Sequence, residues 1–330
     1  MAPPLISILM PVYNAAATLR EAVDSIRAQT ISDYEFLTLD DGSSDDSLRI
    51  LRDYAAQDPR MHVLHHPNCG IALTLNKALP LARGQFIARM DADDISLPQR
   101  LATQLDFLAQ HPEIALVGAW DQNFGGSNTD INRLASDPSH LKASLLFRNP
   151  MSHSTILWRR EWLAEKHLRY DPACRYMEDY DLWARVAYVF PIANIPQVLS
   201  HRRWSPTGIN ATYRQQQVVE INALQRRILS WLKLVPSPRQ QAVHEALAWD
   251  QLAEEEDFLR AAHEWLLTLR QANLQNPHFE QAGLMRVLTG RWIAVAKRAA
   301  EHFPRLYAAI YASPFLPLVQ CPLPLPQEQP

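Results

Sequence analysis

The fold turns on Gln85-Phe86-Ile87-Ala88-Arg89-Met90-Asp91-Ala92-Asp93-Asp94. An apolar run with strand character ends there in three carboxylates. Like charges so close repel one another, and the carboxyl ends of strands in an open α/β sheet are where ligands bind. If the backbone stays extended past Met90, the period of two places Asp91 and Asp93 on one side. Two carboxylates converging from one side suit a hard divalent cation, Mg²⁺ or Mn²⁺, with the other positions left to water and phosphate oxygens. The same residues also read as a solvated acidic turn before a helix, with Asp94 or Ser96 as N-cap and Pro98 in the first turn.

Upstream, Leu5-Ile6-Ser7-Ile8-Leu9-Met10 reads as a buried strand that stops at Pro11-Val12-Tyr13-Asn14. A helix follows, with Thr18-Leu19-Arg20-Glu21 as a capping box and Leu19, Ala22, Val23 and Ile26 on one face. Residues 34–39 form a second strand that ends in Asp40-Asp41-Gly42-Ser43-Ser44-Asp45. Leu48, Leu51, Tyr54 and Ala55 mark a second helix, and residues 61–65 a third strand. A third helix over residues 71–81 leads through Gly84 to the strand before Asp91. This β-α-β-α-β-α-β order predicts an α/β fold with a mostly parallel sheet and right-handed crossovers. Parallel strands bring Tyr13, Asn14, Asp40, Asp41 and the Asp91 cluster to one rim. The Asp40 to Asp45 stretch serves equally as a turn with a helix cap. Tyr13 is either a loop aromatic or a ring that stacks on a base with its hydroxyl on phosphate or ribose.

Downstream, Leu101, Leu105 and Leu108 lie on one face of a helix, and a strand covers residues 114–119. Residues 124–137, rich in Gly, Asn, Ser and Asp, read as a long surface loop. The segment from Asn149 to Trp158 is a polar turn entering a strand. Leu182, Trp183, Val186 and Ala187 make a helical stripe with Glu178 and Asp179 at its N-terminal end, where the macrodipole favours negative charge whether or not it has another role. Residues 192–203 hold a strand or two, ending in His201-Arg202-Arg203-Trp204. From Tyr213 the texture changes. Residues 214–234, 240–249, 254–270 and 284–301 read as helices. The expected organisation is an α/β domain over 1–212, a helical region over 213–313 and a Pro-rich tail over 314–330, extended or disordered.

Composition bounds the function. The 330 residues carry a net charge of −3, without a long basic block, which argues against a protein held on nucleic acid mainly by phosphate contacts. Cys69, Cys174 and Cys321 are far apart and odd in number, so they suggest neither a disulfide framework nor a metal-ligand spacing, and a reducing cytosol fits. The N-terminal apolar run lacks a basic region and contains Pro11, so it reads as a strand and not a signal peptide. No apolar stretch approaches the length of a membrane span.

Taken in order, the stretches from Ile6 to Asn14, Leu39 to Asp45, Asn68 to Asn76, Arg83 to Arg100, His153 to Arg160, Glu178 to Arg185 and His201 to Ile209 closely resemble the family 2 glycosyltransferases. The resemblance covers about the first two thirds of the chain. It implies a GT-A fold and an inverting enzyme of hexosyltransferase type. Such an enzyme moves sugar from a nucleoside-diphosphate sugar, here a UDP-sugar, to a glycan or lipid-linked glycan acceptor in bacterial surface polysaccharide or lipopolysaccharide synthesis. By residue-to-residue match it implies that Asp93 and Asp91 hold Mn²⁺ or Mg²⁺, Asp91 contacting ribose or metal. By the same match Pro11, Tyr13 and Asp41 hold the nucleotide, Asp179 is the general base, Glu178 orients acceptor or base, and Arg203 reaches the diphosphate. His153 and Ser154 match an element near the donor sugar, although a structural role suits them equally.

Two departures qualify the match. Processive relatives carry Gln-x-x-Arg-Trp, and here Ser200 stands at the Gln position before Arg203-Trp204, which favours a soluble enzyme adding one or few sugars. Leu75 precedes Asn76 where many relatives have Arg, so a basic contact to the nucleotide is missing or comes from Arg83 or Arg89. Two other readings stand beside this one: a catalytically silent nucleotide-sugar-binding scaffold, and a nucleotidyltransferase. The latter usually opens with a Gly-rich basic loop that Pro11 to Ala16 lacks. The expected location is cytoplasmic, with Trp231, Lys233, Arg291, Trp292, Lys297 and Arg298 as candidates for peripheral contact with the inner face of a membrane.

Overall fold

The computed structural model describes residues 2–205, 212–251, 256–302 and 313–315. The stretch 206–209 of the last matching motif, Cys321, and all of the Pro-rich tail beyond residue 315 lie outside the described residues. The chain forms two compact units: Met1–Pro138 with Asn149–Ile221, and Ser139–Arg148 with Asn222–Pro330.

The first unit is built on a sheet. Strand β1 (Ile6–Val12) is buried almost throughout, as the near-continuous apolar run requires of a strand covered on both faces. It pairs in parallel with β2 (Tyr34–Asp40) on one side and β4 (Phe86–Arg89) on the other, in the registers Val12↔Asp40 and Leu9↔Arg89. Strand β3 (Met61–His65) adds to β2, also in parallel. Between these strands lie α1 (Leu19–Arg27), α2 (Ser47–Ala55) and α3 (Ile71–Ala78). The β-α alternation is thus as expected, and the register sets the ends of β1, β2 and β4 side by side. Gly84, just before β4, lets the chain close onto β1. A Cβ there would meet Ser7 N at 2.4 Å and Ile6 C at 2.6 Å, and Gly84 N donates to Ser7 Oγ at 2.8 Å.

Beyond β4 the sheet turns mixed. After the short β5 (Ile95–Ser96) come α4 (Arg100–Gln110), β6 (Leu116–Phe124), β7 (Ile131–Asn132) and α5 (Pro138–Ser144). Then follow β8 (Leu157–Arg159), α6 (Arg160–Glu165), α7 (Glu178–Val189) and β9 (Ile192–Arg203). The strand order is β3-β2-β1-β4-β8-β6-β9-β5, with β7 paired to β6. Three local expectations are corrected. Thr18 makes no side-chain cap; its Oγ1 donates instead to Ala92 O at 3.1 Å, across to the acidic turn. Helix α4 starts at Arg100 with Gln99 as N-cap, so neither Asp94 nor Ser96 caps it. The 124–137 stretch is no free loop: β7 returns along β6, and Trp120 Nε1 donates to Leu134 O at 2.8 Å.

The second unit is helical, with α8 (Arg214–Trp231), in which the division between units falls, then α9 (Pro238–Ala248), α10 (Glu256–Gln275) and α11 (Gln281–His302). Ser237 and Gln240 form a capping box at the start of α9. Residues 139–148 belong here because Leu141, Leu145, Leu146 and Phe147 are buried and His244 binds them. His244 Nδ1 accepts from Trp265 Nε1 at 3.1 Å, which leaves the Nε2 proton for Leu146 O at 2.9 Å. Gln225 Nε2 donates to Phe147 O at 2.9 Å. Of the residues read as membrane-facing, Trp292 and Arg291 are buried, and Arg291 donates to Leu247 O and to Asp250, so those two do not face lipid; Lys233, Lys297 and Arg298 are exposed. Among the described residues no helix is long and apolar enough to cross a membrane.

Candidate active site

The acidic turn after β4 converges, though not as a continued strand would have it. Strand β4 ends at Arg89, and the bend that follows, not the β pleat, turns the acids inward. Carboxylate oxygens of Asp91, Asp93 and Asp94 come within 4.8 Å of one another. Each acid has a distinct setting. Asp91 is ion-paired with Arg89, which is fully buried. Burial, and then the Asp91 charge, push the Asp93 carboxyl up to about 6. Asp94 is buried, and burial followed by the charges of Asp91 and Asp93 pushes it up to about 8. Asp94 accepts from Ser154 Oγ and, at 2.8 Å, from Arg203 N, so it ties the turn to two distant segments.

Arg203, at the end of β9, reaches this turn. Its Nε donates to Asp93 O at 2.9 Å, its Nη2 pairs with Glu21, and the guanidinium lies 4.4 Å over the Phe124 ring. Ser200, at the position of the processive relatives' Gln, is buried and donates to Ile95 O at 3.1 Å.

At the ends of β1 and β2 the loops are laced together. Asn14, at φ +49, accepts from Ser44 N at 2.8 Å, Ser47 Oγ accepts from Ala15 N at 2.9 Å, and Asp45 accepts from Ala16 N at 2.9 Å. Pro11 is the penultimate residue of β1 and Tyr13 stands just beyond it, 56% exposed. Asp41 is buried and already engaged: its two oxygens accept from Cys69 N at 2.7 Å and Gly70 N at 2.9 Å. Asp40, also buried, accepts from or pairs with His65 Nδ1 at 2.7 Å.

The second pair of acids opens α7. Glu178 is buried, and burial together with the adjacent Asp179 charge pushes its carboxyl up to about 8. Burial also raises Asp179, to about 6, with hydrogen bonds from Tyr180 N and Asn149 and the Arg89 charge acting in the other direction. Asn149 Nδ2 donates to Asp179 Oδ2 at 2.8 Å. His153 Nδ1 lies 3.7 Å from Glu178 Oε1, and its Nε2 is 2.9 Å from Tyr170 OH. Burial, then the Arg89 charge, hold the imidazole well below its usual range, so it is neutral and uncharged toward Glu178. His153 therefore belongs to the Glu178 side, while Ser154 belongs to Asp94.

Three residues of this arrangement receive no role from the sequence: Asn76, Arg100 and Gln104. Asn76 bonds both backbone groups of Tyr170, donating to its carbonyl at 2.8 Å and accepting from its N–H at 3.1 Å, and so fixes the ring that meets His153. Arg100 is fully buried; its Nη1 donates to Arg89 O at 3.0 Å and to Ser154 O. Gln104, four residues on, donates to Thr155 O at 2.6 Å. A visible signal did exist there, since Arg100 and Gln104 share the helical face of Leu101 and Leu108, where polar groups must have buried partners.

The donor set at Asp91, Asp93 and Asp94 is all oxygen and self-repelling, which fits a hard divalent cation. Burial and the charges of its two neighbours favour the protonated form of Asp94, which leaves Asp93 and Asp91 as the candidates to ligate.

Residues 7–167 match the family model described as Glycosyl transferase family 2. EpsE of Bacillus subtilis (strain 168) is 35% identical over 189 residues, which cover 55% of this chain and 66% of that one. The amylovoran biosynthesis glycosyltransferase AmsE of Erwinia amylovora is 29% identical over 216 residues, 62% of this chain and 79% of its own. Among solved structures, residues 1–349 of S. aureus TarS in complex with UDP are similar with a TM-score of 0.57 at 17% identity, over 91% of this chain and 89% of that one.

Proposed function

The chain belongs to glycosyl transferase family 2 through residues 7–167 and has the GT-A fold, and from that premise we propose that it transfers a sugar from a UDP-sugar to a hydroxyl of a glycan or lipid-linked glycan, with inversion, in the building of a bacterial surface polysaccharide. The polysaccharide context is supported by AmsE, and a uridine donor by TarS, whose structure holds UDP. The observation that carries the chemistry is the presence of two separate acidic groups: the three converging carboxylates after β4, and the buried pair that starts α7.

Inverting transfer needs a base for the acceptor hydroxyl on the face of the sugar opposite the leaving diphosphate. At neutral pH Asp179, raised only to about 6, is ionised and able to take that proton. Glu178, raised to about 8, keeps its proton and can donate a hydrogen bond to an acceptor oxygen. Two adjacent carboxyls whose environments separate their pKa values divide acid and base roles between them. Asn149 and Tyr180 N aim the Asp179 carboxylate, and the neutral His153, fixed by Tyr170, packs beside Glu178. On the donor side Asp93 and Asp91 would hold Mn²⁺ or Mg²⁺, which supplies positive charge to the departing diphosphate. Arg203 adds a guanidinium at the same turn, and Tyr13, Pro11 and Asp41 form the nucleotide edge. The intact acids in both groups argue against a silent scaffold.

The test is a panel of nucleoside-diphosphate sugars with and without Mn²⁺ or Mg²⁺, read by thermal shift and nucleoside-diphosphate release. The expected result is one donor that stabilises the protein only with metal, an effect lost in Asp93→Ala. Asp179→Ala should bind that donor and not turn it over. Release of pyrophosphate instead would overturn the reading in favour of nucleotidyl transfer.

A further inference from the structure

The loop His66-Pro67-Asn68-Cys69-Gly70, between β3 and α3, folds back onto Asp41 and brings three unlike donor atoms together. His66 Nδ1 lies 3.4 Å from Asp41 Oδ1 and 3.7 Å from Cys69 Sγ. All three donor atoms fall within 4.8 Å of one another. In a tetrahedral zinc site, with Zn–N and Zn–O near 2.0 Å and Zn–S near 2.3 Å, neighbouring donors stand about 3.3–3.6 Å apart. The two separations from His66 are already close to that spacing. The chemistry of the set is as telling. A thiolate, an imidazole and a carboxylate suit zinc, whereas magnesium and manganese favour an all-oxygen shell such as the turn after β4 provides. The cysteines show no ligand spacing among themselves. The spacing is His66-x-x-Cys69, completed by an acid from another strand end.

The loop is set before any ion arrives. The backbone N–H groups of Cys69 and Gly70 are bound to the Asp41 carboxylate, and Asn68 Nδ2 donates to Asp41 O at 3.0 Å. Gly42, at φ +73, lets Asn68 lie against it; a Cβ there would meet Asn68 N at 2.6 Å. Ligands held in this way lose little freedom on binding. An ion would displace three contacts: His66 Nδ1 to Pro67 O at 3.0 Å, one residue along the chain, the exposed Lys77 Nζ to Cys69 Sγ at 3.3 Å, and Thr74 Oγ1 with Cys69 Sγ at 3.6 Å.

We propose that Asp41, His66 and Cys69 form a zinc site with water as the fourth ligand, and that zinc there excludes the donor nucleotide from the Asp41 edge. Binding converts the thiol to thiolate and releases its proton to solvent, with no change in oxidation state. The exclusion rests on the reading of Asp41 as a nucleotide residue; the metal site does not.

Co²⁺ titration of the full chain tests the site directly. The expected result is a near-ultraviolet thiolate-to-cobalt band with the visible bands of tetrahedral Co²⁺, bleached by zinc. The band should be lost in Cys69→Ser and in His66→Ala and retained in Cys174→Ser and Cys321→Ser. Circular dichroism of the variants separates loss of a ligand from loss of fold. Absence of the band from the folded native chain, or its survival in Cys69→Ser, overturns the site. Calorimetry with UDP and Mg²⁺ then tests the exclusion. Zinc at ten times its dissociation constant should weaken UDP binding about tenfold in the native chain and not in Cys69→Ser. A cobalt band at Cys69 with UDP affinity unchanged by zinc overturns the exclusion. Failure of UDP to bind without zinc counts against the proposed function and leaves the cobalt result standing.

Discussion

Replacing Asp179 by Asn removes a base and a buried charge while it keeps the shape. Burial raises this carboxyl from 3.8 to about 6, so above pH 6 the folded protein holds an ionised group it would rather protonate. The sign follows from the raised value: stability from this site is full below about pH 4 and is lost as the pH rises through 6. The penalty at pH 7.5 is on the order of 3 kcal/mol. The amide keeps one acceptor oxygen, for either Tyr180 N or Asn149 Nδ2, so one hydrogen bond of about 1 kcal/mol is forfeited. The net expectation for Asp179→Asn is a gain of about 2 kcal/mol, or roughly 4–8 °C in Tm at pH 7.5, vanishing near pH 4. Catalysis should move the other way. Loss of a general base lowers kcat by about 10²–10⁴-fold, equivalent to about 3–5 kcal/mol of barrier. The native pH–kcat/KM profile should fall below about pH 6 as Asp179 and Asp93 protonate, and the limb of the variant should be shallower, with Asp93 alone remaining. Scanning calorimetry, nucleoside-diphosphate release across pH and donor-binding calorimetry read these three effects. A variant with kcat within about threefold of native refutes Asp179 as the base.

The alkaline limb belongs to the partner acid: Glu178→Gln should keep activity above pH 8, where the native profile declines as a carboxyl raised to about 8 loses its proton. Asp93→Asn should abolish the metal-dependent thermal shift and leave the fold intact, a result checked by fluorimetry with Mn²⁺ and UDP. His244 in the helical unit is depressed by burial from 6.5 to about 4, so its contribution is present above pH 6.5 and lost as pH falls through 4. Acid titration by circular dichroism should show native helix losing on the order of 3 kcal/mol of stability in that window, and His244→Gln should flatten the dependence. Gly84→Ala should destabilise the sheet unit by about 3 kcal/mol or more in urea melts, because the new methyl meets backbone of β1 that cannot yield.

Much of the sheet unit was legible in advance because its signals are local and repeated. The apolar runs of β1, β2 and β4 and the face of α1 need no tertiary knowledge to read, and the β-α alternation dictates parallel pairing. The misreadings share a cause. Thr18 has the form of a cap but spends its hydroxyl on Ala92, 74 residues away. Residues 131–132 look like loop and become strand only because β6 offers an edge. Arg291 and Trp292 look amphipathic and are buried, Arg291 on Leu247 O and Asp250 and Trp292 beside the His263 ring. In each case a partner distant in sequence decided among outcomes that local chemistry left open.

The sequence by itself determined the periodicities, the acids at the strand and helix ends and their order along the chain, because these depend on residue type and spacing alone. Only the tertiary structure decided what each acid does. It bound Asp94 between Ser154 and Arg203, engaged Asp41 with the loop of Cys69, and left Asp93 facing a neighbouring charge. It also separated Glu178 from Asp179 in proton affinity. Burial and the charges that fold in from elsewhere set those properties, and neither is a function of the local sequence.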